Sequence, residues 1–306
     1  METYNITTLR RILILLLRIR NPNPLEQNLD LLPTIDVLIP VAGKDVKHLD
    51  LVLLNLQKYC QNPLGTIYIV TPNKSILNIK TGDNIKIIND SEFLSIDIES
   101  FKNSQPDCFN WCIQQLIKLS SINLINSDYI LWLDSDTLLN DYRTFVNKKC
   151  QIEIISDEFH RPYFVGLSKS FSFKIPIIRL SRVSHHALIN TAVFKKFQDE
   201  YNLKSIEDWL HIILNSIDAK NIRVGGQNWF IFGTSSFSEY ELYSLVLKKY
   251  NVPRKKVYWW NESRKFISYS STNFIAIENG LLEKLSKKLR PNKPYSISFH
   301  SWNQAE

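Results

Sequence analysis

Tyr129-Ile130-Leu131-Trp132-Leu133-Asp134-Ser135-Asp136-Thr137 decides the fold of this chain. Five largely apolar residues in a row are too few for a helix and fit a strand covered on both faces. The strand runs into two aspartates on alternate positions, so both carboxylates can turn toward one sheet edge with Ser135 between them. Two carboxylates at such an edge repel unless a cation neutralises them. Oxygen donors suit Mg2+ or Mn2+, and such an ion is commonly completed by substrate phosphates. A pair of solvated or helix-capping aspartates is the plainer alternative.

Working outward, Ile35-Asp36-Val37-Leu38-Ile39-Pro40 is another short apolar run, closed by proline. Gly43 and a helical pattern through Leu49, Val52, Leu53 and Leu56 follow it. Thr66 to Val70 and Ile85 to Ile88 are two further runs, closed by Thr71-Pro72 and Asn89-Asp90. A helix after Pro106 carries Trp111, Cys112, Leu116, Ile117 and Leu119, with Gln114 and Lys118 one turn apart. Strands alternating with helices predict an α/β domain with a mainly parallel sheet covered on both faces. Such sheets take ligands at the carboxyl ends of their strands. After Phe159 the alternation loosens and aromatics accumulate, with helical stretches near 189–201, 205–217, 238–249 and 273–289.

Among 306 residues, 37 lysines and arginines face 30 acids, a formal charge of +7. The 44% hydrophobic content excludes wholesale disorder. The basic balance leaves three anionic partners: nucleic acid, a membrane surface, or a phosphate-bearing substrate. No nucleic-acid recognition motif is present and the lysines are scattered, which puts a basic nucleic-acid-binding protein last. The longest apolar run, Ile12 to Leu17, is far short of the roughly 20 residues a spanning helix needs. Arg10, Arg11, Arg18 and Arg20 flank it, which suits a helix lying on an anionic membrane or one packed against the domain. Asn21-Pro22-Asn23-Pro24 then breaks that helix. The four cysteines form no C-x-x-C pair and are expected as reduced, mostly buried thiols of a cytosolic protein.

Two enzyme classes place D-x-D after an apolar strand. In haloacid-dehalogenase-like phosphatases the first aspartate, here Asp134, is a nucleophile, and Asp134-Ser135-Asp136-Thr137-Leu138 satisfies their pattern. Their motif sits on the first strand of the domain and needs a later G-D-x-x-x-D segment, whereas here about a hundred residues of strand-helix alternation precede it and that segment is lacking. GT-A glycosyltransferases put a nucleotide-binding half first and D-x-D in the middle, the layout seen here.

Several segments together resemble a bacterial family assigned by sequence to the glycosyltransferases. It is classed as a domain of undefined function within the nucleotide-diphospho-sugar transferase (GT-A) superfamily. The segments are Ile35–Pro40 with Lys44-Asp45; 111–119; Leu133–Leu138; His160-Arg161-Pro162-Tyr163; Ser184-His185-His186; and 237–243. The resemblance runs from about Ile35 to about Tyr250. It implies a GT-A-type Rossmann-like mixed sheet flanked by helices, with a helical, aromatic-rich C-terminal acceptor half. The implied layout is a basic helix and linker over 1–30 and one catalytic domain over 31–306, its nucleotide-binding half at 31–140 and its acceptor half at 141–306.

Carried over segment by segment, the resemblance implies that Pro40, Val41, Lys44 and Asp45 cup the nucleotide. Gln114, Gln115 and Lys118 face the same crevice, Lys118 as a point charge for phosphate. Asp134 and Asp136 hold Mn2+ or Mg2+, with Ser135 beside the donor and the late His300 as third metal ligand. His185 and His186, after Arg179 and Arg182, contact phosphate or metal. Glu239, or failing it Glu241, takes the proton of the acceptor hydroxyl. Trp229, Phe230, Tyr258, Trp259 and Trp260 are candidates for sugar stacking. The implied activity is transfer of a sugar from a nucleotide-diphosphate sugar to a carbohydrate or lipid-linked acceptor. The implied place is the cytoplasm, with peripheral attachment to the inner face of the membrane through the N-terminal helix.

Overall fold

The computed structural model describes residues 28–42, 45–46, 49–73, 83–96, 98, 109–139, 141–156, 159–176, 180–216, 237–258, 261–262 and 296–298. The N-terminal helix, Cys108, Lys44, Arg179, Trp229, Phe230, Trp259, Trp260, the 273–289 helix and His300 lie outside these residues. After a 3-10 turn at Leu29–Leu31 come β1 (Ile35–Pro40), α1 (Leu49–Tyr59), β2 (Leu64–Thr71), β3 (Ile85–Asn89), α2 (Asp90–Leu94), α3 (Phe109–Leu124) and β4 (Tyr129–Leu133). Then follow β5 (Thr137–Leu139), β6 (Gln151–Ile155), α4 (Arg161–Phe171), β7 (His186–Asn190), α5 (Thr191–Glu200), α6 (Ile206–Ser216), α7 (Glu239–Lys249), β8 (Arg254–Tyr258), β9 (Asn261–Glu262) and β10 (Ser296–Ser298).

The main sheet has the order β3-β2-β1-β4-β7. Its first three pairings are parallel and β7 closes it antiparallel to β4, so the sheet is mixed and mainly parallel, as expected. Period-two alternation sorts its side chains between two cores. Val37, Ile39, Leu131, Leu133 and Leu188 pack against Leu49, Val52 and Leu53 of α1. Leu38, Ile130, Trp132 and Ile189 pack with Cys112 and Leu116 of α3, Phe194 and Phe197 of α5, Trp209 of α6 and Leu242 of α7. At about 25 cal/mol per Å2 of apolar surface removed from water, this two-sided burial is the main force closing the fold.

Local chemistry sets the helix boundaries. Asn190 ends β7 and caps α5, its side chain accepting from Val193 N–H. Ser238 does the same for α7 through Glu241 N–H. The helix expected from 189 thus begins at 191 and is preceded by a strand.

Two smaller sheets were not anticipated. β6 and β8 pair in parallel, with Gln151 opposite Arg254 and Ile155 opposite Tyr258. β10 runs between β5 and β9. Of the described cysteines Cys112 is buried while Cys60 and Cys150 are half-buried, so burial is less general than expected. No helix among the described residues is long and apolar enough to cross a membrane.

Candidate functional site

The chain leaves β1 toward β2 on one side and returns through α3 to β4 on the other. The strand order therefore reverses between β1 and β4, the place where open α/β sheets bind ligands. Leu38 pairs with Trp132, so two residues on, Pro40 lies level with Asp134. Val41 N–H donates to Val70 C=O and extends the ladder, while Asp45 N–H closes a turn on Ala42 C=O. Val41 is itself buried in the core.

The strand stops at Leu133. Thr137 N–H donates to Asp134 C=O at 3.1 Å, so 134–137 form a turn rather than an extension of the strand. That turn, and not alternation along a strand, presents Asp134 and Asp136. Ser135 is buried within it, and Thr137 Oγ1 donates to Asp136 Oδ1 at 3.3 Å.

Asp134 is the hub. Its Oδ1 accepts from Lys118 Nζ at 2.6 Å, Tyr240 Oη at 3.0 Å and Gln114 Nε2 at 3.2 Å. His185 Nδ1 lies 3.2 Å from Oδ2, and Asp134 N–H donates to His185 C=O at 2.9 Å. His185 is held at φ 61, in the left-handed region a non-glycine residue seldom adopts, and these two contacts to Asp134 pin it there.

Lys118 is buried, with 1% of its side chain exposed. Besides Asp134 it donates to Glu239 Oε1 at 2.7 Å and to Tyr240 Oη at 2.8 Å. An ammonium has three N–H donors, and all three are spent on the protein. Lys118 therefore joins α3, the end of β4 and the start of α7, and the geometry does not support the expected phosphate contact. Gln115 reinforces the junction by accepting from Glu239 N–H at 3.3 Å.

Burial alone would push the Lys118 ammonium down, but Asp134 and Glu239 outweigh it and hold it above its ordinary value. Burial would likewise raise Asp134; Lys118 and His185 reverse this and hold its carboxyl well below the usual range. Burial and then the charges of Asp134 and Glu239 raise Tyr240 well above its ordinary value, so its hydroxyl remains a donor at neutral pH.

Glu241 turns away from this hub. It is fully buried, and its Oε1 accepts from Ser181 Oγ at 2.6 Å and from Arg182 N–H at 2.9 Å. Burial, only partly offset by Arg182, pushes its carboxyl up. Arg182 donates to Glu153 Oε1 at 3.2 Å, and Arg254 donates to Glu153 Oε2 at 2.8 Å. This second cluster ties β6, β8, α7 and the loop before His185 together. His186 is buried too: its ring bonds Ser184 C=O at 2.7 Å and stands edge-on to Phe145. Burial drives its imidazole down to about 3, so it is neutral at pH 7.

The structure thus gathers Gln114, Gln115, Lys118, Asp134, His185 and Glu239, with Pro40 at the same sheet edge, and it turns Glu241 and His186 elsewhere. Tyr240 and Glu153 escaped the sequence reading. Tyr240 stands between two glutamates at a capped helix start, a position that could have flagged it, whereas Glu153 carries no comparable signal.

Among the described residues no group of three or more His, Cys, Asp or Glu is arranged to hold a metal ion. Asp134 does not fit the role of ligand expected for it, because both its oxygens already meet protein donors and Lys118 supplies its counter-charge. Asp136 stands in the same turn, and Mg2+ or Mn2+ is commonly held by one or two carboxylates together with substrate phosphates. No curated protein matches the chain. A family of unknown function (DUF6492) matches it over residues 32–273 of 306, and the chain belongs to that family.

Proposed function

We propose that the protein is a metal-dependent glycosyltransferase of the GT-A kind, moving a sugar from a nucleotide-diphosphate donor to a carbohydrate or lipid-linked acceptor. The observation that carries this reading is the Asp134–Thr137 turn, set directly after β4 where the strand order reverses beside β1. The β1 loop with Pro40, Val41, Lys44 and Asp45 takes the nucleotide. Gln114 and His185 fix the Asp134 carboxylate, which stays anionic and orients the turn.

Asp136, with the donor's phosphates and the late His300, holds Mn2+ or Mg2+. Such an ion, when bound, offsets the charge that develops on the leaving diphosphate. Charge balance favours that requirement. Among the described residues, Asp134, Asp136 and Glu239 bring three carboxylates to this edge and Lys118 an ammonium, a balance that repels a bare diphosphate. In this reading Glu239, held by Lys118, takes the acceptor proton. Glu241 is left to the structural cluster around Arg182.

The phosphatase alternative draws less support, because three strands of the sheet precede β4 in the chain and Asp134, its nucleophile, is tied to Lys118.

Calorimetric titration with uridine and guanosine diphosphates in the presence of Mn2+ tests the reading. Binding that disappears with EDTA and in Asp136→Asn is expected, along with a rise in thermal midpoint when nucleotide and metal are both present. Absence of any nucleotide binding, or binding indifferent to both EDTA and Asp136→Asn, overturns it.

A further inference from the structure

We propose that the end of the molecule remote from Asp134 docks on an anionic lipid surface through a pole of lysines. α7 starts at the candidate site with Glu239 and ends with the exposed Lys248 and Lys249. Its 11 residues put about 16 Å between those two ends. The chain then turns at Asn251 and enters β8, where Lys255 is exposed. β6 runs parallel beside it, and Gln151 N–H donates to Pro253 C=O at 3.1 Å. That bond sets the turn bearing the exposed Lys148 and Lys149 against the start of β8. From α5, Lys196 stands 4.9 Å from the centre of the Tyr250 ring. Four segments therefore bring six lysines to one end. Glu200, 2.6 Å from Lys249, sits among them.

Three features favour a lipid surface over other polyanions. The six cations are all lysines, hydrated point charges that lack the planar fork with which arginine grips individual phosphates. They are spread over a turn, a helix end and two further elements, and a smeared anionic surface rewards such spacing, each lysine near it adding to the attraction. Tyr201 and Tyr250 lie under Lys249 and Lys196, and amphipathic rings of this kind suit the boundary between water and lipid. The sequence also holds a second signal, the apolar run Ile12 to Leu17 between paired arginines. One weak anchor binds lipid marginally, while an apolar anchor combined with a polybasic patch binds stably. The pole and the candidate site stand at opposite ends of α7, so this inference does not depend on the transferase reading.

The test is sedimentation of the full-length protein with phosphatidylcholine vesicles, with and without phosphatidylglycerol. Binding only to the anionic vesicles is expected. Lys148→Glu/Lys149→Glu/Lys248→Glu/Lys255→Glu should weaken it at least about tenfold. Raising salt from about 0.05 M to about 0.5 M should do the same to the unmodified protein. All four positions are exposed, so the fold should hold; Lys148→Gln/Lys149→Gln and the salt titration serve if it does not. Equal binding to both vesicle types, or full affinity in the charge-reversed protein, overturns the inference. Tighter binding to duplex DNA than to anionic vesicles overturns it in favour of nucleic acid. Nucleotide binding, followed in the same samples, should be unchanged by the reversal, and its failure in the unmodified protein counts against the transferase reading alone.

Discussion

Replacing Lys118 by methionine keeps most of the side chain's stem and removes its charge, which leaves Asp134 and Glu239 at a buried junction without their counter-ion. Removing one partner of a buried, hydrogen-bonded ion pair costs about 3–5 kcal/mol. Folded proteins hold a margin of about 5–15 kcal/mol, so the loss is a large share of it. For 306 residues it corresponds to a drop of roughly 5–8 °C in thermal midpoint. The pH dependence separates this cause from simple loss of packing. In the unmodified protein Asp134 is held below its ordinary range, so its contribution is fully present above the unfolded value near 3.9 and is lost as pH falls from there through the lower folded value. In Lys118→Met burial acts on Asp134 with only His185 left to oppose it, and raises it. The folded variant then binds the extra proton, and its stability increases as pH falls from 7 toward 5. Urea unfolding followed by tryptophan fluorescence at both pH values measures the difference. Lys118→Met/Asp134→Asn/Glu239→Gln, with no charge left in the cluster, should recover much of the loss. A deficit below about 1 kcal/mol at pH 7, or an equal deficit at both pH values, would refute the buried-cation account.

Three other outcomes follow from the same geometry. Burial holds His186 at about 3, so below pH 6.5 the unfolded chain takes up a proton that the folded one refuses. Stability should fall from pH 6.5 toward pH 3, by up to about 5 kcal/mol from this group, and His186→Asn should flatten that slope in a pH series of thermal midpoints. Glu153→Gln strips the counter-ion from Arg182 and Arg254, whose side chains are 19% and 16% exposed, and should cost about 2–3 kcal/mol in urea unfolding. The Cys60 thiol is pushed up to about 12 by burial, leaving only about one molecule in ten thousand as thiolate at pH 8. Iodoacetamide should spare Cys60 in the folded protein and modify it in urea, as read by peptide mass spectrometry.

Strands β1 to β4 were legible because each lies between two helical layers and reads as an apolar run. β6 and β8 were not. Glu153 is buried in β6 against the half-buried Arg254 of β8 about a hundred residues away, and β8 also carries the exposed Lys255 and Lys256, so neither strand shows an apolar run. Glu241 failed for the same reason: at a helix start it looks like a complement to the helix dipole, and only the distant Ser181 and Arg182 account for its burial. Lys118 is different, since its setting was readable. Phe109–Leu124 carries one charged residue in 16. A helix with no charged face has no wet side on which to place a lysine, so it must be enclosed, and its one cation must find acids within the protein. One of those acids follows directly after the next strand as Asp134. The other, Glu239, comes 121 residues after the lysine, at a capped helix start whose own sequence gives no hint of a partner. Local periodicity can show that a charge is buried. Which groups neutralise it is fixed by the order of strands in the sheet, and that order is what carries α7 back to the end of β4.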